Sequence, residues 1–259
     1  MAARLSHWQT YHEWVEGRIG PDPTILEIGC GRGDLTPFPW CRYPDVHLIG
    51  LDPDPLAAAN LHISRLVPFN GGPWRIPPES VDLVICRYVL EHIAEGEELF
   101  ANLRRVMRPG ARFVFLTPNL WHPAVLISKV LPTTCKQRIL RWAMGADEQD
   151  LFPTHYQMNT ARILRSLADR WDFSVERLVT HEFEPCKYLD EFSVGFGAFY
   201  AYFRLMSVTG LGRLLGASIL AEFRKHPRPL RHASARVEVL VKMESRESAA
   251  CLLPARLSK

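Results

Sequence analysis

The six cysteines of this 259-residue chain, at 30, 41, 86, 135, 186 and 251, include no C-x-x-C pair and follow no regular spacing. That excludes a structural zinc framework and a disulfide scaffold, so no metal is expected and a reducing, cytoplasmic setting is the simplest expectation. Charge of one sign is also scarce. Thirty-one Lys and Arg stand against 28 Asp and Glu, a formal +3 that gives no field for steering nucleic acid. The densest basic cluster, Arg224, Lys225, Arg228 and Arg231, is broken by Pro227 and Pro229 and reads as a solvated surface segment. Long apolar runs are missing as well. The first residues, MAARLSHWQTYHEWVEGR, contain no apolar core of a secretion signal, and Phe192–Phe203 is too short to span a bilayer. No internal repeat or low-complexity linker divides the chain, which reads as one domain over 1–259.

Short apolar runs are present instead. TILEI (24–28), VHLIGLD (46–52), SVDLVIC (80–86) and ARFVFLT (111–117) are nearly continuous in Val, Ile, Leu and Phe, as strands covered on both faces are. RLVPF (65–69) is a weaker strand because of Pro68. EGEELFANLRRVMRPG reads as a helix with apolar residues at 99, 100, 103, 106 and 107, ending at Pro109-Gly110. NTARILRSLADRW reads as another, capped by Asn159 or Thr160, with a stripe at 163, 164, 167 and 171. FSVERLV (173–179) and ARVEVLVKM (235–243) alternate with period two, as late antiparallel strands do. Strands alternating with helices predict a doubly wound α/β sheet whose strand C-terminal ends share one edge, where ligands bind. Segments 119–158 and 184–232 fall outside this rhythm and are read as insertions forming a cap over that edge.

In ILEIGCGRGDLT (25–36), glycines occupy every second position directly after a strand. Gly29, Gly31 and Gly33 allow a sharp turn and expose backbone N–H groups with no Cβ in the way. The spacing G-x-G-x-G does not meet the dinucleotide fingerprint, which argues against a nicotinamide dehydrogenase. About twenty residues further on, Asp52 ends LIGLD, where a carboxylate can accept both ribose hydroxyls of a nucleoside.

Together ILEIGCGRG, LIGLDPDP, SVDLVICRYVLEHI and LRRVMRPGARFVFLTPN resemble the successive motifs of class I S-adenosylmethionine-dependent methyltransferases. The match covers residues 24–119, and HYQMNTARILRSLADRWDFSVERL is similar to the following segment of the small-molecule branch. The resemblance implies a mostly parallel, seven-stranded Rossmann-like sheet with S-adenosyl-L-methionine bound at 24–118. Glu27, Gly29, Cys30 and Gly31 would line its methionine part and sugar, with Gly33 completing the loop. Asp52 would hold the ribose, Pro53 would lie against the adenine, and Cys86 or Arg87 would face the methionine portion. Glu91 and His92 would begin the helix beneath the substrate.

Two departures from the family pattern stand out. FNGGPWRIPPES has no acid before Glu79 to meet the adenine amino group, leaving Asn70, a backbone carbonyl or stacking on Trp74. Pro37 and Pro39 imply a short or displaced helix after the glycines. These departures motivate a second reading, a non-catalytic binding or scaffold protein with this fold. In the enzyme reading the acceptor is a small or lipid-like molecule, methylated at a hydroxyl in one version. The candidate bases are His155, with Tyr156 beside it, and then His122. Peripheral membrane contact is kept as a hypothesis, and the oligomeric state is left open.

Overall fold

The computed structural model describes residues 6–33, 38–69, 71–130, 153–181, 201, 205–206 and 208–226. Seven strands form one sheet: β1 (Thr24–Ile28), β2 (His47–Asp52), β3 (Arg65–Pro68), β4 (Val81–Arg87), β5 (Met107–Pro118), β6 (Phe173–His181) and β7 (Ser218–Lys225). Their order is β3-β2-β1-β4-β5-β7-β6. The first five strands pair in parallel, and β7 runs antiparallel to both β5 and β6. The sheet is therefore mixed and mostly parallel. The chain order reverses at β1, where β2 and β4 leave on opposite sides, and such a switch point is where open α/β sheets bind ligands.

The apolar runs are continuous because the sheet is covered on both faces. Leu83 and Ile85 of β4 join Tyr11, Val15, Ile25, Trp40 and Val114 on one face. Val84 and Cys86 join Leu26, Ile28, Leu51, Phe100, Phe113 and Leu164 on the other. The first face is covered by α1 (His7–Glu16), whose start is fixed by a reciprocal cap: Gln9 N–H donates to Ser6 Oγ and Ser6 N–H donates to Gln9 Oε1. The second face carries α2 (Gly96–Val106) and α4 (Ala161–Arg170). Between β5 and α4 lies α3 (Pro123–Val130), and α5 (Gly212–Leu215) precedes β7.

Several expectations need correction. The helix α2 ends at Val106, and Met107 already pairs with Val81 as strand. Pro109 has no N–H to give and pushes its predecessor out of helical geometry, so the helix stops before it. Thr160 rather than Asn159 caps α4, accepting from Ile163 N–H, and Ile163 turns outward at 38% exposure. Pro68 is tolerated because β3 is the sheet edge.

The largest difference concerns the last strand. β7 is Ser218–Lys225, inside the segment read as cap, while 235–243 lies outside the described residues. Lys225, read as solvated, is 1% exposed and donates through Nζ to Met107 O and Glu79 Oε1. Beside it Glu222 is fully buried on the α1 face. Arg18 donates to both of its oxygens at 2.6 and 3.2 Å, Arg112 donates at 2.5 Å, and Arg177 stands 3.6 Å away. Burial pushes the Glu222 carboxyl up, but the Arg18 and Arg112 bonds and charges outweigh it and hold it below the usual range. Glu222→Leu leaves three guanidinium groups facing each other around an apolar side chain. The expected loss is about 3 kcal/mol by urea unfolding, at the low end for a broken buried pair because the arginines are partly exposed.

Candidate functional site

The parallel strands bring five tips to one edge, and the turn after β1 is held there from three sides. Gly29 N–H donates to Leu51 O of β2, and Gly31 N–H donates to Asp52 Oδ2 at 2.8 Å. Asn60 donates from Nδ2 to Cys30 O at 3.1 Å and to Gly31 O at 3.3 Å. The glycines serve different needs. A Cβ on Gly29 would overlap Cγ2 of Val89, so this position, at φ +73°, packs backbone directly against the chain after β4. A Cβ on Gly33 would come within 2.6 Å of Asn60 Oδ1. Gly31, at φ +51°, has nothing within 4 Å of such a carbon. That side of the turn is open space.

Asp52 is buried at the end of β2, and its Oδ1 accepts Asp54 N–H at 2.9 Å. Each carboxylate oxygen thus takes one backbone N–H and keeps acceptor capacity for a ligand. Pro53 beside it is exposed. Glu27, half-buried on β1, has its carboxyl raised to about 7 by burial. The charge of Arg87 and a hydrogen bond from Trp40 oppose the shift, and the charge of Asp52 adds to it. Arg87, at the tip of β4, lies 5.0 Å from the Trp8 ring centroid of α1. Cys30 is buried, and burial with the charges of Asp52 and Glu27 raises its thiol to about 12, so it acts as a neutral wall. Cys86 is fully buried and offers a ligand no side chain.

The neighbouring part of the edge is a polar chain between β4, β5 and the loop before α4. Glu91, 5% exposed in the 3-10 turn Leu90–His92, accepts from Thr117 Oγ1, which in turn accepts from Asn159 Nδ2 at 2.7 Å. Asn159 also donates to Pro118 O. The N–H groups of His155 and Tyr156 both donate to Glu91 O, at 2.7 and 3.1 Å, so these two candidates sit against the tip of β4. The His155 side chain is exposed, and Tyr156 is held at φ +52°, a conformation sustained only where the surroundings impose it. His122 is buried, and its carbonyl accepts from Val125 and Leu126 at the start of α3. The edge therefore gathers His155 and Tyr156 around Glu91, while His122 serves the start of a helix.

Residues named for the adenine side fare differently. Trp74 is 4% exposed within the core, so it does not stack on a ligand, and Asn70 lies outside the described residues. Between β1 and β2 the described residues form a 3-10 turn, Trp40–Arg42, and the stretch 34–37 on which the short-helix expectation falls lies outside the described residues. Sequence reading missed Asn60 and the α1 wall. Nothing in the sequence tied Asn60 to a loop thirty residues away, whereas Ser6-x-x-Gln9 was a visible helix-start signal.

A mixed, mostly parallel seven-stranded sheet of this order, flanked by helices, is the class I methyltransferase fold. A family model described as a methyltransferase domain matches residues 6–178, and the chain belongs to that family, whose cofactor is S-adenosylmethionine. It is similar to a probable S-adenosylmethionine-dependent methyltransferase of Mycolicibacterium smegmatis, 33% identical over 45% of this chain and 48% of that one. It is also similar to a ubiquinone biosynthesis O-methyltransferase of Pseudomonas syringae pv. syringae, 29% identical over 45% and 54%. The chain spans about half the length of the curated relatives it matches. Among solved structures, geranyl diphosphate C-methyltransferase from Streptomyces coelicolor A3(2) aligns at TM-score 0.52 and 14% identity, covering 83% of this chain and 78% of that one. The YcgJ protein of Bacillus subtilis aligns at 0.53 and 13%, covering 86% and 100%. At such identities these two likenesses concern the fold.

The Glu91 carboxyl is raised to about 7 by burial, against the lowering effect of its hydrogen bonds. A carboxyl that titrates near 4.5 when unfolded and near 7 when folded stabilises most below 4.5, and that contribution falls as pH rises to 7. Glu91→Gln keeps an acceptor for Thr117 and removes the ionisation. Thermal unfolding at pH 8 should show the variant at or above the wild-type midpoint, and at pH 5 no such gain.

Proposed function

We propose that this chain transfers a methyl group from S-adenosyl-L-methionine to a small-molecule or lipid-like acceptor, at a hydroxyl oxygen, in a biosynthetic pathway. The supporting observation is the open space beside Gly31, whose N–H donates to the Asp52 carboxylate, with Glu27 on the same strand under the charge of Arg87. Asp52, aimed by two backbone N–H bonds, accepts the ribose hydroxyls. Pro53 lies against the adenine, and the backbone of Gly29, Cys30, Gly31 and Gly33 follows the sugar and methionine portion. Glu27 meets the methionine amino group, and Arg87 at the tip of β4 sets the charge beside it. The cofactor, when bound, supplies an already activated methyl group, so the chain's task is alignment and exclusion of water.

A hydroxyl acceptor must lose its proton as the new bond forms. His155, exposed on a loop fixed to Glu91 at the β4 tip, is the proposed acceptor of that proton, with Tyr156 beside it. His122 has the weaker claim because it is buried at the start of α3. His155→Ala should lower turnover about 100-fold or more while leaving cofactor affinity unchanged, once isotopically labelled donor has identified the product in cell extract. The names of relatives that methylate oxygens, among them malonyl-[acyl-carrier protein] and ubiquinone biosynthesis O-methyltransferases, favour the oxygen reading.

The second reading, a non-catalytic protein of the same fold, draws on Pro37 and Pro39 after the glycine loop and on the acid-free stretch before Glu79. Calorimetric titration with S-adenosylhomocysteine separates the two, since absence of binding favours the scaffold. The expected result is micromolar binding that weakens about 10- to 100-fold in Asp52→Asn, the loss expected when a charged hydrogen-bond acceptor is neutralised. Binding should also strengthen with pH. The ligand's amino cation favours ionised Glu27, whose carboxyl titrates near 7. Affinity therefore rises from pH 6 to pH 8 and then levels, and Glu27→Gln flattens that rise.

A further inference from the structure

Beside the acceptor edge lies a surface that the methyl-transfer reading does not use. Asn119, directly after β5, donates from Nδ2 to Leu214 O and Gly216 O at 2.8 and 2.7 Å. It also accepts Trp121 N–H through Oδ1 at 3.2 Å. One side chain therefore ties the approach to α3 to the segment before β7. Around this tie, large apolar side chains face outward: Val208 at 79%, Leu214 at 59%, Leu205 at 55%, Trp121 at 50%, Leu211 at 42% and Leu126 at 39% exposure. Isolated exposed apolar residues are ordinary, but a group this size on two joined segments marks an interaction surface.

Two exposed cations stand on these segments. Lys129 of α3 and Arg213 of α5 are exposed. The chain contains no Asp or Glu from Leu99 to Ala146, or from Phe192 to Ala221. A second copy of this chain would be a poor occupant. A symmetric contact would bring the cations of both copies into one interface, with no acid on these two described segments to pair them. We propose that this surface docks on an anionic lipid bilayer. Leu214, Val208 and Leu126 enter the boundary of the acyl chains, Trp121 lies at headgroup level, and Lys129 and Arg213 meet lipid phosphates. Apolar burial combined with attraction to anionic headgroups holds proteins at such interfaces, and tryptophan concentrates there. No helix among the described residues is long and apolar enough to cross a membrane, so the contact is one of surface. The polar chain of Glu91, Thr117 and Asn159 stands at the same end of β5, which places the docked face beside the loop of His155. An acceptor carried in a bilayer would reach the proposed site without crossing water.

The test is sedimentation of the full chain with vesicles of equal parts phosphatidylglycerol and phosphatidylcholine, and with phosphatidylcholine alone, read without turnover so that it stands apart from the enzyme assay. The expected result is partition onto the anionic vesicles that falls at least tenfold in the double variant Trp121→Ser, Leu214→Ser. Arg213→Gln and Lys129→Gln should each reduce it about fivefold and weaken its salt dependence. Unchanged S-adenosylhomocysteine binding in every variant certifies the fold. Three results overturn the proposal: no partition of the wild type, equal partition of the double variant, or a wild-type dimer that the double variant abolishes without any vesicle binding.

Discussion

The carboxylate of Asp52 is the fixed point of the ligand edge. It closes one bond to the glycine turn after β1 and another to the turn after its own strand, so two loops that share no sequence pattern are set in one geometry. The packing of Gly29 against Val89 adds the third neighbour, the chain after β4. Three strand tips are therefore locked together around a space that none of their side chains fills at Gly31. Removing a side chain costs backbone entropy in the unfolded chain, and a turn would form with fewer glycines. Two of the three are explained by what comes close, Val89 at Gly29 and Asn60 at Gly33, while Gly31 faces open space.

Three glutamates show how burial and partners divide the work of one residue type. Glu222 is sealed beneath α1 but surrounded by arginines, so it stays charged and joins the N-terminal helix region to the last strand through Arg18. Glu91 is almost as buried but has only a hydroxyl and backbone groups, so burial raises its carboxyl to about 7. Glu27 lies between these cases, with one arginine and one indole against the cost of burial, and it titrates near neutrality. The structural glutamate is held away from titration. The two at the strand tips titrate within the physiological range, where binding a cation or a hydrogen-bond donor changes their state.

Much of this was legible in the sequence, for reasons that are local. β1, β2, β4 and β5 announce themselves because parallel strands covered on both faces must be apolar throughout, and the glycine turn and Asp52 follow from their tips. β7 was not legible. Its inward residues include Glu222 and Lys225, so SILAEFRK reads as the start of a basic surface rather than as a strand. Only partners far away in sequence, Arg18, Arg112, Glu79 and Met107, make those charges tolerable inside, and no local pattern announces such partners. The role of Asn60 was hidden for the same reason. Trp74 misled in the other direction: glycines and prolines around it suggest an open loop, while its ring is packed in the core with Phe69 edge-on at 6.4 Å.

The short connections around β2 bear on how the cofactor edge is held. Between β2 and β3 the chain makes only the 3-10 turn Pro55–Ala59, and before β2 only Trp40–Arg42 among the described residues. Neither turn is long enough to bring many backbone N–H groups to a ligand or to present a strong helix dipole. The edge relies on side chains instead. Asn60 spans from the end of the second turn to the glycine loop, Asp54 caps that turn through Leu56 N–H, and Trp40 reaches Glu27 from the first. The loss of Asn60 would then loosen the glycine loop even though Asn60 lies behind it, because no other described side chain bonds to the carbonyls of Cys30 and Gly31. The glycine loop is thus held by side-chain contacts that reach it from the segment after β2.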